Sequence, residues 1–467
     1  MNNSTFSRRR FLLGVGAAGI NTALAFETLR QSGVFPGVDE TTDARKSAYE
    51  REQLKLHTIE GAITDANGVP LTGEPSSEGA AAPVLDPSFG SICGMRTKRF
   101  GSSGLRQLYE SELCYAEVPH GHGSTITTTL NGALQKAGYK LTAGFRGCVA
   151  LLDIDTGAVV ALADRPSASL EFDANNVTAE TMQRWNNEPN FWYQPSTTCC
   201  LQPGSTEKIV DAAAIFSSGI SQEYTDTGVS AATGIRNAGQ AVYGGPLNVT
   251  DMLRHSINTY AADVTPQVGR ELFSQTLDGF FYNHSVELDF GKTLNPTVSF
   301  DPDDLDLASW AQLSIGHGPI QTAPLHLALI IGACLHPEGQ MVQPFMVREI
   351  TRESGLVVQH EDGGNVLSTP LPDPAVRGQL VDALAITAEG YHLSVPGGIV
   401  LAKTGTATIE NSDRTNVFIA FALQTAKGRR FAGAISREDV TGSSAQLKPV
   451  CAEWINHILK EEDNIGK

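Results

Sequence analysis

Ser205 and Lys208 stand three residues apart in Pro203-Gly204-Ser205-Thr206-Glu207-Lys208, at the opening of an apolar stretch that runs to Ser217. On a helix, positions i and i+3 are neighbours, so the Lys208 amine can reach the Ser205 hydroxyl. Such a pair makes a nucleophile. The amine takes the hydroxyl proton only if it is neutral, which requires burial or a nearby cation to lower its pKa. A helix N-terminus beside Ser205 also favours the negative charge that develops there. Taken alone, the spacing equally fits a solvated helix start with a capping serine and an exposed lysine. Two further clusters shift the weighing: Ser256-Ile257-Asn258, in a helix-and-turn context, and Lys403-Thr404-Gly405-Thr406-Ala407, on a predicted strand.

Elements must bring these three together. Cys148 to Ile154 and Ala158 to Ala163 read as two strands around Asp155-Thr156-Gly157, and Ile399 to Leu401, Val417 to Leu423 and Phe431 to Ile435 read as further strands. Ala445 to Lys460 reads as a closing amphipathic helix. With no internal repeat, the fold class expected is α+β, a mixed antiparallel sheet flanked by helices, with a small N-terminal module. Upstream, Ala48 to Leu56 is a predicted short helix, Ile59 to Leu71 a hairpin turning at Asn67-Gly68, and Leu130 to Ala137 a helix entering the larger domain. Pro70 to Pro87, rich in Pro, Gly, Ser and Ala, reads as a surface linker. His120 and His122 could bind metal, but a polar turn is the better reading.

The set S-x-x-K, S-x-N and K-T-G, in that order, is shared by penicillin-binding proteins and class A β-lactamases. Over roughly Thr142 to Leu459 the chain resembles the transpeptidase domain of class B penicillin-binding proteins. Gly157 to Ala163 looks like that family's early hairpin, and Trp185-Asn186-Asn187 stands in its usual place before the nucleophile. Ser314-Ile315-Gly316-His317-Gly318 with Pro324-Leu325 resembles another segment, where the family usually carries Gln in place of His317. Packing is the commoner explanation of both Trp185 and His317. The resemblance implies that Ser205 attacks the penultimate D-alanine carbonyl of a peptidoglycan stem peptide, releases D-alanine and passes the acyl group to an amine. It implies Lys208 as general base, and Ser256 and Asn258 as supports for proton transfer and substrate orientation. Lys403 and Thr404 would hold the terminal carboxylate, Gly405 would let substrate approach the strand edge, and the N–H groups of Ser205 and Thr406 would form an oxyanion hole. β-Lactams would acylate the same serine. Two departures stand out: the family's usual Arg before Gly61 is Glu60, and its common Glu is Arg106. These put the pedestal and its contacts with cell-wall synthesis partners in question.

Composition narrows the setting. Hydrophobic residues at 41% and charged residues at 18% fit a globular chain, and 467 residues allow a large domain with a smaller companion. The formal net charge of -17 argues against nucleic acid and anionic membrane as partners. Ser7-Arg8-Arg9-Arg10-Phe11-Leu12 precedes an apolar run to Phe26, as in twin-arginine export signals, with Ala23-Leu24-Ala25 a small-residue cleavage site. A Sec signal with incidental arginines leads to the same place, outside the cytoplasm at the outer face of the membrane or in the cell envelope. The expected organisation is an export signal over 1–25, a short N-terminal module and linker over 26–140, and the transpeptidase domain over 141–467. Seven scattered cysteines lack metal-ligand spacing; Cys199-Cys200 could hold a disulfide to another segment, although buried thiols are commoner. No metal or organic cofactor is implied, because the chain supplies nucleophile, base and oxyanion donors.

Three rivals share parts of this reading. A serine β-lactamase would hydrolyse the acyl-enzyme, but the 147 positions between Ser256 and Lys403 resemble transpeptidases better, and no deacylating glutamate stands out. A D,D-carboxypeptidase differs only in its acceptor, which loops select. A non-catalytic scaffold or β-lactam sensor would keep the fold without peptide turnover.

Overall fold

The computed structural model of the chain describes residues 53–97, 100–165, 178–187, 194–299 and 306–465. The export segment lies outside these residues. At the N-terminal end, β1 (Ile63–Thr64) runs parallel to β2 (Thr125–Thr128). The expected turn at Asn67-Gly68 is present. Gly68 has φ +75°, and the Asp65 side chain accepts from the Asn67 and Val69 N–H groups.

Pro70 to Pro87 is not the surface linker that its composition suggests. Leu71, Thr72 and Ala80 to Ala82 are buried, and Thr72 bridges Val84. The reason is a buried ionic cluster. Glu60 Oε1 accepts from Arg106 Nε at 2.8 Å and Glu60 Oε2 from Arg96 at 3.3 Å. Arg96 also donates to the carbonyls of Gly79 (3.3 Å) and Ala80 (2.6 Å), and Arg106 to those of Gly94 (2.8 Å) and Ala82. Small side chains let the loop bring its carbonyls to the guanidinium groups, as a buried charge requires. The two departures, Glu60 and Arg106, are therefore the two halves of one ion pair. His120, at φ +63°, lies 2.9 Å from the Glu78 carboxylate, which His57 also approaches at 3.5 Å; the backbone N–H of His122 donates to Glu353.

α1 (Gly132–Leu141) starts where the Asn131 side chain accepts from the Leu134 N–H. It leads into β3 (Arg146–Asp153) and β4 (Val159–Arg165). Then come the helices α2 (Lys208–Ser218), α3 (Val249–His255), α4 (Asn258–Val264) and α5 (Pro324–Leu335). The hairpin β5 (Val347–Thr351) and β6 (Val357–His360) joins β2 through antiparallel pairing, so the N-terminal strands share a sheet with a segment far down the chain. α6 (Pro374–Gly390) precedes three long strands, β7 (Ile399–Thr408), β8 (Arg414–Gln424) and β9 (Arg430–Thr441), and α7 (Leu447–Glu461) closes the fold.

The main sheet has the order β7-β8-β9-β3-β4 and is antiparallel throughout. Both faces are covered, which accounts for the nearly continuous apolar runs of its strands. Leu401, Phe418, Ala420 and Ala434 belong to the core that holds α2 and α5, whereas Val400, Ala402, Ile419 and Ile435 pack with Trp454, Ile455 and Ile458 of α7. Every residue of α5 is buried, as expected of a helix that is apolar all round. Cutting one of its leucines to alanine should cost about 2–5 kcal/mol. None of the seven cysteines is joined in a disulfide among the described residues; five are buried, Cys199 is half-buried and Cys200 is exposed.

Candidate active site

Ser205 occupies a single 3-10 turn, Gly204–Thr206, and the α-helix starts only at Lys208. The Thr206 hydroxyl donates to the Pro203 carbonyl at 2.7 Å, and the Glu207 N–H to the Gly204 carbonyl at 3.0 Å, which together tighten this turn. Ser256 ends α3 in the left-handed conformation, φ +57° and ψ +43°, an unusual backbone for a serine and one that turns the chain sharply into α4. A capping box between Asn248 and Asp251 fixes the start of α3. Asn258 is the first residue of α4. Its N–H donates to Asn237 Oδ1 (2.9 Å) and its Nδ2 to the Arg236 carbonyl (3.1 Å), so its Oδ1 faces the opposite way.

That oxygen lies 2.6 Å from Lys208 Nζ, which is also 3.0 Å from the Ser256 carbonyl and 2.9 Å from Ser205 Oγ. A neutral amine has two N–H groups and one lone pair. The Asn258 amide oxygen and the Ser256 carbonyl can only accept, so they take both N–H groups and the lone pair is left for the Ser205 proton. Burial holds Lys208 well below the usual lysine range, and the Lys403 amine adds to that; the attraction of Asp211 works the other way. Asp211 is itself buried beside Glu207, which drives its carboxyl far up, and Glu207 is pushed up to about 8 while its Oε2 accepts from the Tyr282 hydroxyl at 2.6 Å. With both carboxyls pushed up, their hold on Lys208 as an ammonium ion is weakened.

Lys403 completes the line. Its Nζ donates to Ser256 Oγ at 3.0 Å and to the Thr404 carbonyl at 3.1 Å, and Ser256 Oγ is 3.5 Å from Lys208 Nζ. Burial, aided by Lys448, pushes Lys403 down to about 7. Ser205, Lys208, Ser256, Asn258 and Lys403 thus form one connected cluster.

The neighbours of Lys403 do otherwise. Strand alternation turns the side chains of Thr404 and Thr406 to the opposite face of β7. There Thr404 Oγ1 lies 3.1 Å from the Tyr391 hydroxyl, and Thr406 Oγ1 donates to Ser444 Oγ at 2.9 Å. Thr404 braces Lys403 through its carbonyl, while its hydroxyl meets Tyr391. Gly405 has a second task. A Cβ there would fall 2.4 Å from the Pro203 carbonyl oxygen, so the glycine also admits the nucleophile's own turn. Likewise a Cβ on Gly316 would fall 2.0 Å from the Gly204 oxygen, and the Gly204 N–H donates to the Gly316 carbonyl at 3.0 Å. Ser205 is wedged between these two backbones.

Beside it opens a groove of about 680 Å³ lined by Gln202, Gln312, His317, Glu410 and Asp413 among others. Glu410 and Asp413 belong to the turn between β7 and β8. Trp185 lies in the helix Ala179–Asn187, and its side chain is outside the described residues. Sequence reasoning missed Asn237, whose only signal is an Asn-Ala-Gly turn, and Tyr391. It quoted Glu207 within the S-x-x-K motif without weighing it.

Residues 147–458 match the penicillin binding protein transpeptidase domain. The chain belongs to that family. Among curated proteins, the peptidoglycan D,D-transpeptidase MrdA of Escherichia coli K12 is 30% identical over 183 residues, 38% of this chain and 29% of the relative. A peptidoglycan D,D-transpeptidase FtsI homolog of Mesostigma viride is 27% identical over 315 residues, 60% of this chain and 51% of the relative. The aligned parts therefore span about a third to a half of these relatives. Penicillin-binding protein A of M. tuberculosis, as its imipenem acyl-enzyme complex, superposes with a TM-score of 0.78 at 19% identity, covering 87% of this chain and 99% of that one. The D,D-transpeptidase domain of a peptidoglycan glycosyltransferase from Eggerthella lenta gives 0.76 at 21% identity over 87% and 99%. The α+β fold is that of this penicillin-binding family.

Proposed function

We propose that the chain is an exported peptidoglycan D,D-transpeptidase of the class B penicillin-binding type, working through a Ser205 acyl-enzyme. The observation that carries this reading is Lys208: a buried amine with both N–H groups engaged and its lone pair left for Ser205. Lys208 takes the Ser205 proton as the hydroxyl attacks the D-alanyl carbonyl. The Ser256 hydroxyl, between Lys208 and Lys403, passes a proton to the departing D-alanine amine. The N–H groups of Ser205 and Thr406 receive the oxyanion, and Lys403 offers the positive charge for the substrate carboxylate. The names of the E. coli and Mesostigma relatives support the reaction, and the M. tuberculosis acyl-enzyme structure supports β-lactams as inhibitors. The arginine-led N-terminus, read as a twin-arginine signal over 1–25, supports export to the cell envelope; among the described residues no helix is long and apolar enough to cross a membrane.

The β-lactamase alternative needs a carboxylate that activates water at the ester. Glu207, next to the nucleophile in sequence, is turned into the core toward Tyr282. Fluorescent penicillin tests the reading. The parent protein should retain label for hours and Ser205→Ala should take none. Rapid loss of label with penicilloate release would mean a β-lactamase, and an unlabelled parent would end the proposed chemistry.

A further inference from the structure

His317 stands where the family usually has glutamine, one residue beyond the Gly316 that packs on Gly204. Its ring is pinned. Nδ1 lies 3.1 Å from the Ile315 carbonyl oxygen, which can only accept, so Nδ1 carries the proton and Nε2 carries the lone pair. Among the described residues Nε2 has no hydrogen-bond partner, and the ring lines the 680 Å³ groove beside the nucleophile. The titratable groups around it come from two elements. Lys208 lies on α2, and the exposed Glu410 and Asp413 stand on the turn between β7 and β8. Burial holds His317 below the usual imidazole range, and Lys208 adds to this against the Ile315 hydrogen bond. The groove lining thus combines exposed carboxylates with an imidazole nitrogen whose lone pair is free. That combination suits a ligand that arrives as a cation and must leave its proton behind.

Resting on the transpeptidase reading, we infer that His317 is the base that deprotonates the acceptor ammonium in the second half-reaction. Glu410 and Asp413 draw R-NH3+ into the groove, and Nε2 takes one proton. The freed amine attacks the acyl-enzyme carbonyl, the new C–N bond forms, and the bond from that carbon to Ser205 Oγ breaks. The second proton returns to Ser205 Oγ through Ser256 and Lys208, while imidazolium loses its proton to the solvent-filled groove. Lys208 serves the serine throughout, so the two half-reactions use separate bases on separate elements.

The test compares the full-length protein with His317→Gln, whose side chain still fills the site and still forms hydrogen bonds. Penicillin carries no acceptor ammonium, so labelling of Ser205 should stay within about threefold of the parent. With a thioester stem-peptide donor and Nα-acetyl-lysine amide as acceptor, whose amine has a pKa of about 10.4, the ratio of aminolysis to hydrolysis at pH 7 should fall at least about tenfold, within the range of general-base effects. The deficit should close as pH is raised toward the amine's own pKa. Hydroxylamine, already unprotonated at neutral pH, should be accepted equally by both proteins. An unchanged ratio with the lysine acceptor overturns the inference, as does an equal loss with hydroxylamine or a loss of penicillin labelling in the variant. Absence of labelling in the parent would instead refute the transpeptidase reading itself.

Discussion

Glu60 and Lys208 are both ionisable groups with almost no exposure to solvent, and their surroundings differ in kind. Around Glu60, two arginines and a ring of backbone groups supply partners for nearly every polar atom, Arg96 Nε being the exception. Around Lys208 the carboxylates lack partners: both oxygens of Asp211 and Oε1 of Glu207 have none among the described residues. The first cluster keeps its charges and uses them to fix a loop. The second cannot hold its charges, so its groups stay neutral, and a neutral lysine is what a serine nucleophile requires. Satisfaction makes a brace; shortage makes a base.

Four variants press on this contrast. The largest effect belongs to Lys208→Met, which should slow penicillin labelling by about a thousandfold or more while leaving the thermal midpoint unchanged or raised, because an apolar chain suits that site better than an amine. A sharp fall in the midpoint would show that the amine stabilises the fold as well. Glu60→Ala should do the reverse. It strands two buried guanidinium groups, costing about 3–5 kcal/mol in urea unfolding, while the folded fraction still labels. Exchanging the pair, Glu60→Arg with Arg106→Glu, should recover part of that loss but not all, since Arg96 would then face a like charge; no recovery would mean that position rather than charge sets the loop. Smallest is Glu207→Gln. Glu207 is raised from an ordinary 4.5 to about 8, so it is protonated in the folded chain and ionised in the unfolded one between those values. Its contribution is full below pH 4.5 and is lost as pH rises toward 8. The variant should show a flatter stability curve across that window, measured by unfolding at fixed pH steps. An unchanged curve would mean that Glu207 is not the titrating group.

Much of this was legible in the sequence, for identifiable reasons. Three short motifs carried the site because Ser205, Lys208, Ser256, Asn258 and Lys403 act through their own side chains. The strands from Cys148 and Ile399 were legible because burial on both faces leaves long apolar runs. Pro70 to Pro87 was misread because its task is performed by carbonyl oxygens, which composition does not display. Glu60 and Arg106 looked like two separate departures because 46 positions divide them, and only the fold shows them touching. The parity of β7 was legible, since Leu401 and Lys403 must share a face, but the Tyr391 partner of Thr404 was not. Glu207 and Asp211 left no signal in the sequence; nothing local says that they point inward.

The backbone wedge that holds Ser205 bears on how drug tolerance could arise. Gly204, Gly316 and Gly405 pack mainly through main-chain atoms, with Thr206 Cγ2 the one side-chain atom among the three nearest to a Cβ placed on each, which leaves little to trim that could shift the serine. Variation that lowers sensitivity to β-lactams therefore has little purchase on the nucleophile itself. It must act on the walls of the groove, at Gln202, Gln312 or the 408–413 turn, where side chains decide what reaches the serine and how long it stays.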